Sequence, residues 1–213
     1  MVFQLRTDYL AFPEPDLADP DGLLAIGGDL SLERLYLAYQ HGIFPWFNED
    51  DPILWYSPHE RCVIFPHKIK VSKSLQRTIN QGMFNVTVDN AFSEVIRSCA
   101  KIPRKGQEGT WIGKKMQDAY ISLHDAGIAK SIEVWNGDRL IGGLYGVVIG
   151  RVFCGESMFS LESNASKIAL VFLARHTPID LIDCQIPNDH LMSMGAEMIS
   201  RSTFMEIMDS SIQ

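Results

Sequence analysis

Two carboxylates stand where carboxylates are costly. Asp183 lies inside the apolar run Leu181-Ile182-Asp183-Cys184, with Gln185 two residues on, and Glu156 follows Val152-Phe153-Cys154-Gly155 at a strand end. An ionised carboxylate in such surroundings needs a partner, or it shifts towards its neutral form. On one reading both acids are structural, satisfying helix N-termini or pairing with Arg151 and Arg175. On the other they form the polar floor of an apolar pocket, with Asp183 and Gln185 on one strand face projecting together towards a ligand. Such a floor suits proton handling or the recognition of a cation.

Charge is the second concentration of chemistry. The 213 residues carry a formal net charge of −7, yet between Arg61 and Lys115 eleven Lys or Arg face only Asp89, Glu94 and Glu108. A block of that composition suits a polyanion and predicts binding that weakens steeply with salt. Lys70, Lys73 and Arg77 have helix-face spacing, Arg97 and Lys101 repeat it, and Arg104, Lys105, Lys114 and Lys115 extend the patch. A solvated face explains any one of these charges, but not eleven against three. Cys62, Cys99, Cys154 and Cys184 are far apart and form no C-x-x-C pair, so the spacing supports neither a metal site nor a disulfide framework. The longest apolar stretch, Leu140 to Phe153, is interrupted by glycines and charge; the expectation is a cytoplasmic protein with no membrane association.

The elements that must hold these residues are readable from periodicity. In the first sixty residues turn signals dominate, and one helix is clear: Ser31 can cap it, Leu32, Leu35, Tyr36 and Tyr39 share a face, and Gly42 supplies a stop. Ile43 to Phe47 follows as an aromatic turn, where Pro45 prevents a continuing helix. From Arg61 helices and strands alternate. Phe92, Val95, Ile96 and Cys99 mark one amphipathic helix, and Met116, Ala119, Tyr120 and Leu123 another that ends at Gly127. Ser131–Trp135, Arg139–Ile149 and Arg151–Glu156 read as successive antiparallel strands, with Asn136-Gly137 as the first hairpin turn. Ser163 or Asn164 caps a helix to about Arg175, Ile179–Gln185 is a buried strand, and a short helix starts at Ser202. The fold class is α/β of the α+β kind, in two parts: a small domain over 1–60 and a larger one over 61–213. No long heptad demands association, so a monomer is expected.

Eight strings, taken in order, carry a resemblance over nearly the whole chain. They are Gly22-Leu-Leu-Ala-Ile-Gly-Gly-Asp-Leu30, His41-Gly-Ile-Phe-Pro-Trp-Phe47, Ile53-Leu-Trp-Tyr-Ser-Pro58, Gly109-Thr-Trp-Ile112, Ser131-Ile-Glu-Val-Trp135, Phe153-Cys-Gly-Glu-Ser-Met-Phe-Ser160, Asn164-Ala-Ser-Lys167, and Leu181-Ile-Asp-Cys-Gln185 with Asn188-Asp-His190. The sequence resembles the leucyl/phenylalanyl-tRNA–protein transferases. It departs from them at the C-terminus, which ends soon after Met208 where family members have a longer tail.

The resemblance implies a small N-terminal domain before one like the GCN5-related N-acetyltransferases, with a mostly antiparallel mixed sheet flanked by helices. It implies transfer of Leu or Phe, less readily Met, from aminoacyl-tRNA to the α-amine of proteins that begin with Arg or Lys, which marks them for N-end rule degradation. An aminoacyl ester is already activated, so the reaction resembled needs no metal and no cofactor. Asp183, Gln185 and Glu156 match the catalytic positions: the Gln185 carbonyl accepts from the amine and is polarised by Asp183, which also favours the acceptor's cation, while Glu156 mainly orients substrate. Leu144, Phe153, Met158, Leu170, Phe172 and Ile182 resemble the lining of the aminoacyl side-chain pocket, although each taken singly reads as ordinary core. Trp46 and Trp111 match the positions that stack on the terminal adenosine, with Tyr39 and Tyr120 as nearby candidates.

Three other readings are weaker. A coenzyme A-dependent acetyltransferase would need a Gln/Arg-x-x-Gly-x-Gly/Ala loop after a strand, and Gly142 and Gly143 fall mid-strand. A thiol hydrolase built on Cys154 or Cys184 with His190 lacks a nucleophile-elbow motif. A non-catalytic RNA-binding protein would explain the basic block, but not an acid and a glutamine in an apolar strand.

Overall fold

The computed structural model describes residues 2–102 and 110–212. In chain order its first elements are β1 (Phe3–Leu5), β2 (Leu23–Gly27), α1 (Leu32–Gln40), β3 (Phe44–Pro45), β4 (Leu54–Tyr56), β5 (Glu60–Ile64), α2 (Lys73–Asn80), β6 (Asn85–Val88) and α3 (Phe92–Lys101). They are followed by α4 (Lys114–Asp125), β7 (Ala129–Asn136), β8 (Arg139–Ile149), β9 (Val152–Ser160), α5 (Ala165–His176), β10 (Leu181–Gln185), α6 (Asp189–Ser193), β11 (Glu197–Ser200) and α7 (Arg201–Ile212).

Local chemistry accounts for most of the boundaries. The Ser31 hydroxyl accepts the Arg34 amide and opens α1, and Gly42 at φ +66° closes it in the left-handed region that favours glycine. Asn164 does precede α5, but at φ +70° and without a side-chain capping bond. Helix α3 has no side-chain cap of its own at Ala91; the buried Glu133 carboxylate on β7 accepts the Asn90 and Ala91 amides instead. Lys70 lies ahead of α2 rather than on its face, and α7 is a full three-turn helix rather than a short one.

Four strands form one sheet in the order β1-β2-β4-β3, and seven form another in the order β11-β5-β10-β9-β8-β7-β6. In the larger sheet β7, β8 and β9 are successive antiparallel neighbours, as expected, and only β9 with β10 runs parallel. This is the mixed, mostly antiparallel α/β sheet that the sequence predicts. Helices α3 and α4 cover one face, in an apolar core continuous with α1 and the four-stranded sheet, while α5 and α2 cover the other.

Three irregularities of this sheet position the site. The β8–β9 register steps from Gly146↔Gly155 to Tyr145↔Ser157, which leaves Glu156 as the extra residue of a bulge. The β10–β5 register steps from Asp183↔Val63 to Gln185↔Cys62, which leaves Cys184 extra and puts Gln185 at φ +61°. Parallel pairing of β9 and β10 runs only from Leu181↔Val152 to Asp183↔Cys154, and the strands then part. Gly146 is required at the first bulge, because a Cβ there would stand 2.2 Å from the Cys154 carbonyl oxygen.

Candidate functional site

Where β9 and β10 part, a cavity of about 840 Å³ opens. Leu144, Phe153, Met158, Leu170 and Ile182 line it, five of the six residues expected to form an aminoacyl side-chain pocket. Phe172 does not. It lies two positions beyond Leu170, on the far side of α5, and its ring packs 4.9 Å from that of His176.

A second cavity, of about 380 Å³, is lined by Phe44, Pro45, Trp46 and Trp111. The two share Glu156, Cys184, Gln185 and Asn188, so the polar floor is the wall between an apolar compartment and an aromatic one. Trp46 is 38% exposed and Trp111 8%, and both residues border the cavity. Tyr39 and Tyr120 are a correction to the expectation: both rings are buried in the core and offer no stacking surface. Their hydroxyls meet each other and turn to Glu156, Tyr39 donating to Oε1 at 2.7 Å and Tyr120 to Oε2 at 2.9 Å.

Glu156 takes a third donor, the Gln185 side-chain amide, 2.7 Å from Oε1. Burial pushes its carboxyl up to about 7, and these three bonds only partly oppose the shift. Burial, followed by the Glu156 charge, likewise raises both tyrosines well above their ordinary value and keeps them protonated. Neither Arg151 nor Arg175 is a partner. Arg151 pairs with exposed Asp180, and Arg175 donates to Gln76.

Asp183 departs from the expectation that it projects with Gln185. It is fully buried and borders neither cavity. Arg61 grips it in a bidentate pair, Nε on Oδ1 at 3.0 Å and Nη2 on Oδ2 at 2.8 Å. Burial, the largest single influence, would lower the Arg61 pKa; the Asp183 charge and hydrogen bonds, with smaller help from Cys154 and Tyr39, together outweigh it and raise it. The link from Asp183 to Gln185 is through the main chain: Oδ1 accepts the Gln185 backbone N–H at 2.9 Å. The bulge at Cys184 is what turns the Gln185 side chain into the cavities while Asp183 stays in the core.

The basic residues separate into groups. Lys73 and Arg77 line a groove with Arg175 on the α2–α5 side of the sheet. Arg97 and Lys101 on α3, and Lys114 and Lys115 on α4, lie on the opposite face; all of these and Lys70 are exposed, with Lys114 paired to Asp118. Arg104 and Lys105 lie outside the described residues. The single continuous patch is thus two clusters on either side of the sheet, and Arg61 leaves the set because it is buried. The sequence counts Arg61 in the basic block and gives no cavity role to Asn188. The signal available for Arg61 was its place ahead of the apolar Cys62-Val63-Ile64 run. For Cys154, burial first and the Asp183 charge second push the thiol well above its ordinary value, which is the wrong direction for a nucleophile.

Comparison with known proteins bears on this arrangement. Residues 63–209 match the family described as leucyl/phenylalanyl-tRNA protein transferase, and residues 28–59 match that family's N-terminal domain. The chain is 51% identical over 209 residues to the leucyl/phenylalanyl-tRNA–protein transferase of Shewanella sp. (strain MR-7), covering 96% of this chain and 88% of that one. It is 52% identical over 204 residues to the protein of the same name from Flavobacterium johnsoniae, covering 94% and 96%. Among solved structures, FemX is similar with a TM-score of 0.47 and 9% identity, covering 83% of this chain and 71% of that one. A GCN5-related N-acetyltransferase from Kribbella flavida is similar with a TM-score of 0.37 and 10% identity, covering 76% and 58%.

Proposed function

The chain belongs to the leucyl/phenylalanyl-tRNA–protein transferase family and is an aminoacyltransferase, and from that premise we propose that it moves Leu or Phe, less readily Met, onto proteins that begin with Arg or Lys. The observation that carries this reading is the shared wall: Gln185 and Glu156 stand between an apolar cavity fit for a donor side chain and an aromatic one fit for the adenosine that carries it. The ester joining those two parts of the donor would then lie at Gln185. On this reading the product is marked for N-end rule degradation, and the enzyme acts in the cytoplasm as a monomer. The same reading gives a small domain over 1–60 and a larger one over 61–213, and the change of sheet between β4 and β5 supports it.

The chemistry is aminolysis. The acceptor's α-nitrogen attacks the ester carbonyl, an amide bond forms, the C–O bond to the tRNA ribose breaks, and the amine's proton passes, directly or through water, to the departing ribose oxygen, which leaves as a hydroxyl. Held against an activated ester, the amine gains most of its rate from orientation. An α-amine of pKa about 7.8 is already neutral in roughly a tenth of molecules at pH 7, so a weak acceptor is sufficient. Gln185 supplies it: with Nε2 donated to Glu156, Oε1 is the amide atom left to accept from the amine. Glu156 orients that amide, while Asp183 holds its main chain and does not touch substrate. The apolar part of the larger cavity discriminates by shape, worth about 1–3 kcal/mol per methyl-sized difference, so relaxed donor choice is expected.

Incubation with charged Phe-tRNA and an Arg-starting peptide tests the reading. The expected product is the peptide heavier by one Phe residue at its N-terminus. Stable tRNA binding with no such product would overturn transfer in favour of a binding protein.

A further inference from the structure

The geometry points to Arg61 as a positioning residue for the transfer, one that fixes Gln185 relative to the Trp46 platform. The inference rests on the reading of Gln185 and Trp46 given above. Its observation is separate: a single buried guanidinium is bonded to both halves of the site. On one side Nε and Nη2 take the two oxygens of Asp183, whose Oδ1 also holds the Gln185 amide at the bulge. On the other, Nη1 donates to the Gly42 carbonyl at 2.7 Å. Gly42 leads into β3, which carries Phe44 and ends beside Trp46. The guanidinium carbon lies 5.0 Å from the centroid of the Phe44 ring and 4.5 Å from that of Phe204 on α7.

These contacts are more than one core ion pair requires. Bidentate pairing would satisfy Asp183 by itself; the third bond and the Phe44 contact extend the hold to the segment that lines the aromatic cavity. Gln185 is on one bonded arm and Trp46 on the other, so the guanidinium fork sets the spacing between the amine's acceptor and the nucleoside's platform. A lysine would keep the charge but not the planar fork, and so not all three bonds in one geometry. Misplacing reacting groups by about 1 Å costs on the order of a hundredfold in rate.

The test is Arg61→Lys, assayed for Phe transfer to an Arg-starting peptide, with kcat expressed per donor-binding site from the stoichiometry of bound Phe-tRNA. The expected result is a kcat lower by about a hundredfold, with KM for donor and for acceptor each within about threefold of wild type. Fewer folded molecules alone would lower the number of sites and leave kcat per site unchanged; that outcome overturns the inference. Where Arg61→Lys binds no donor, the pair replacement Arg61→Met with Asp183→Leu, which buries no charge, is read by the same two criteria. A wild-type chain that transfers nothing would instead sink the reading of the site on which the inference rests.

Discussion

The side-chain amide of Gln185 donates to Oε1 of Glu156 across 2.7 Å, and this bond selects which end of the amide faces the cavities. Two tyrosine hydroxyls donate to the same carboxylate, so Glu156 is held from three directions before any substrate arrives. A site organised in this way should separate the work of its three polar residues when each is changed.

Gln185→Ala removes the amine's hydrogen-bond acceptor and leaves the core intact. It should lower kcat at least tenfold, with little change in KM for aminoacyl-tRNA, because misplacing a reacting group by about 1 Å costs on the order of a hundredfold. Steady-state kinetics at saturating peptide decide it, and an effect confined to KM would remove Gln185 from the chemistry.

Asp183→Asn acts first on the fold. It strands the Arg61 guanidinium without its counter-charge in a buried setting, a loss of about 3–5 kcal/mol. Urea melts should show an unfolding free energy lower by that amount. A variant as stable as the parent would contradict the geometry of the pair.

Glu156 makes stability depend on pH in a defined window. Its folded pKa, about 7, lies above the ordinary 4.5, so the folded state keeps a proton that the unfolded chain releases. The resulting stabilisation is complete below about 4.5 and is lost as pH rises through 7. Glu156→Gln should therefore melt with less pH dependence than the parent between pH 5 and 8, the difference reaching as much as about 3 kcal/mol. Parallel curves for the two proteins would show that the carboxyl is not held up by burial.

Trp46→Ala and Trp111→Ala should each weaken donor binding by about 1–3 kcal/mol, the scale of one base–aromatic stack. The effect should persist with an aminoacyl-adenosine donor that lacks the rest of the tRNA. If short donors are unaffected, the tryptophans do not hold the terminal nucleoside.

The two basic clusters should contribute independently to RNA affinity. Each phosphate contact removed, at Lys73 or Arg77 on one face or at Arg97 or Lys101 on the other, should flatten the log–log dependence of affinity on salt by about 0.7–0.9. Filter binding over a range of salt concentrations measures this, and a slope unmoved by either cluster would leave the tRNA body to other residues.

The helices of the site were legible because a period near 3.6 shows itself locally: α1, α3 and α4 begin and end close to where their apolar stripes, and for α1 its Ser31 cap, place them. The short strands β5, β6 and β11 were not, since four or five residues are too few for a period of two to stand out from the chain around them. Partners distant in sequence were equally hidden. Nothing near Asp183 indicates an arginine 122 positions away, so Arg151 and Arg175 stood in for it. Tyr39 and Tyr120 stand on the apolar stripes of their helices, which marks their rings for burial but gives no sign of where their hydroxyls lead. Their placement under Glu156 follows from packing α1 and α4 on one face of a sheet.

The extra residue at Glu156 reverses the parity of β9. Ahead of it, odd-numbered Phe153 points to the α5 side and even-numbered Cys154 to the other; beyond it, even-numbered Met158 takes the α5 side and Phe159 the opposite one. One strand can thereby offer Phe153 and Met158 to a single hollow, which a strictly alternating ribbon would forbid. Deleting Cys154, which lines neither cavity, would keep every lining side chain in the chain and still send Phe153 and Met158 to opposite faces, so this stretch should tolerate substitution far better than any change in length.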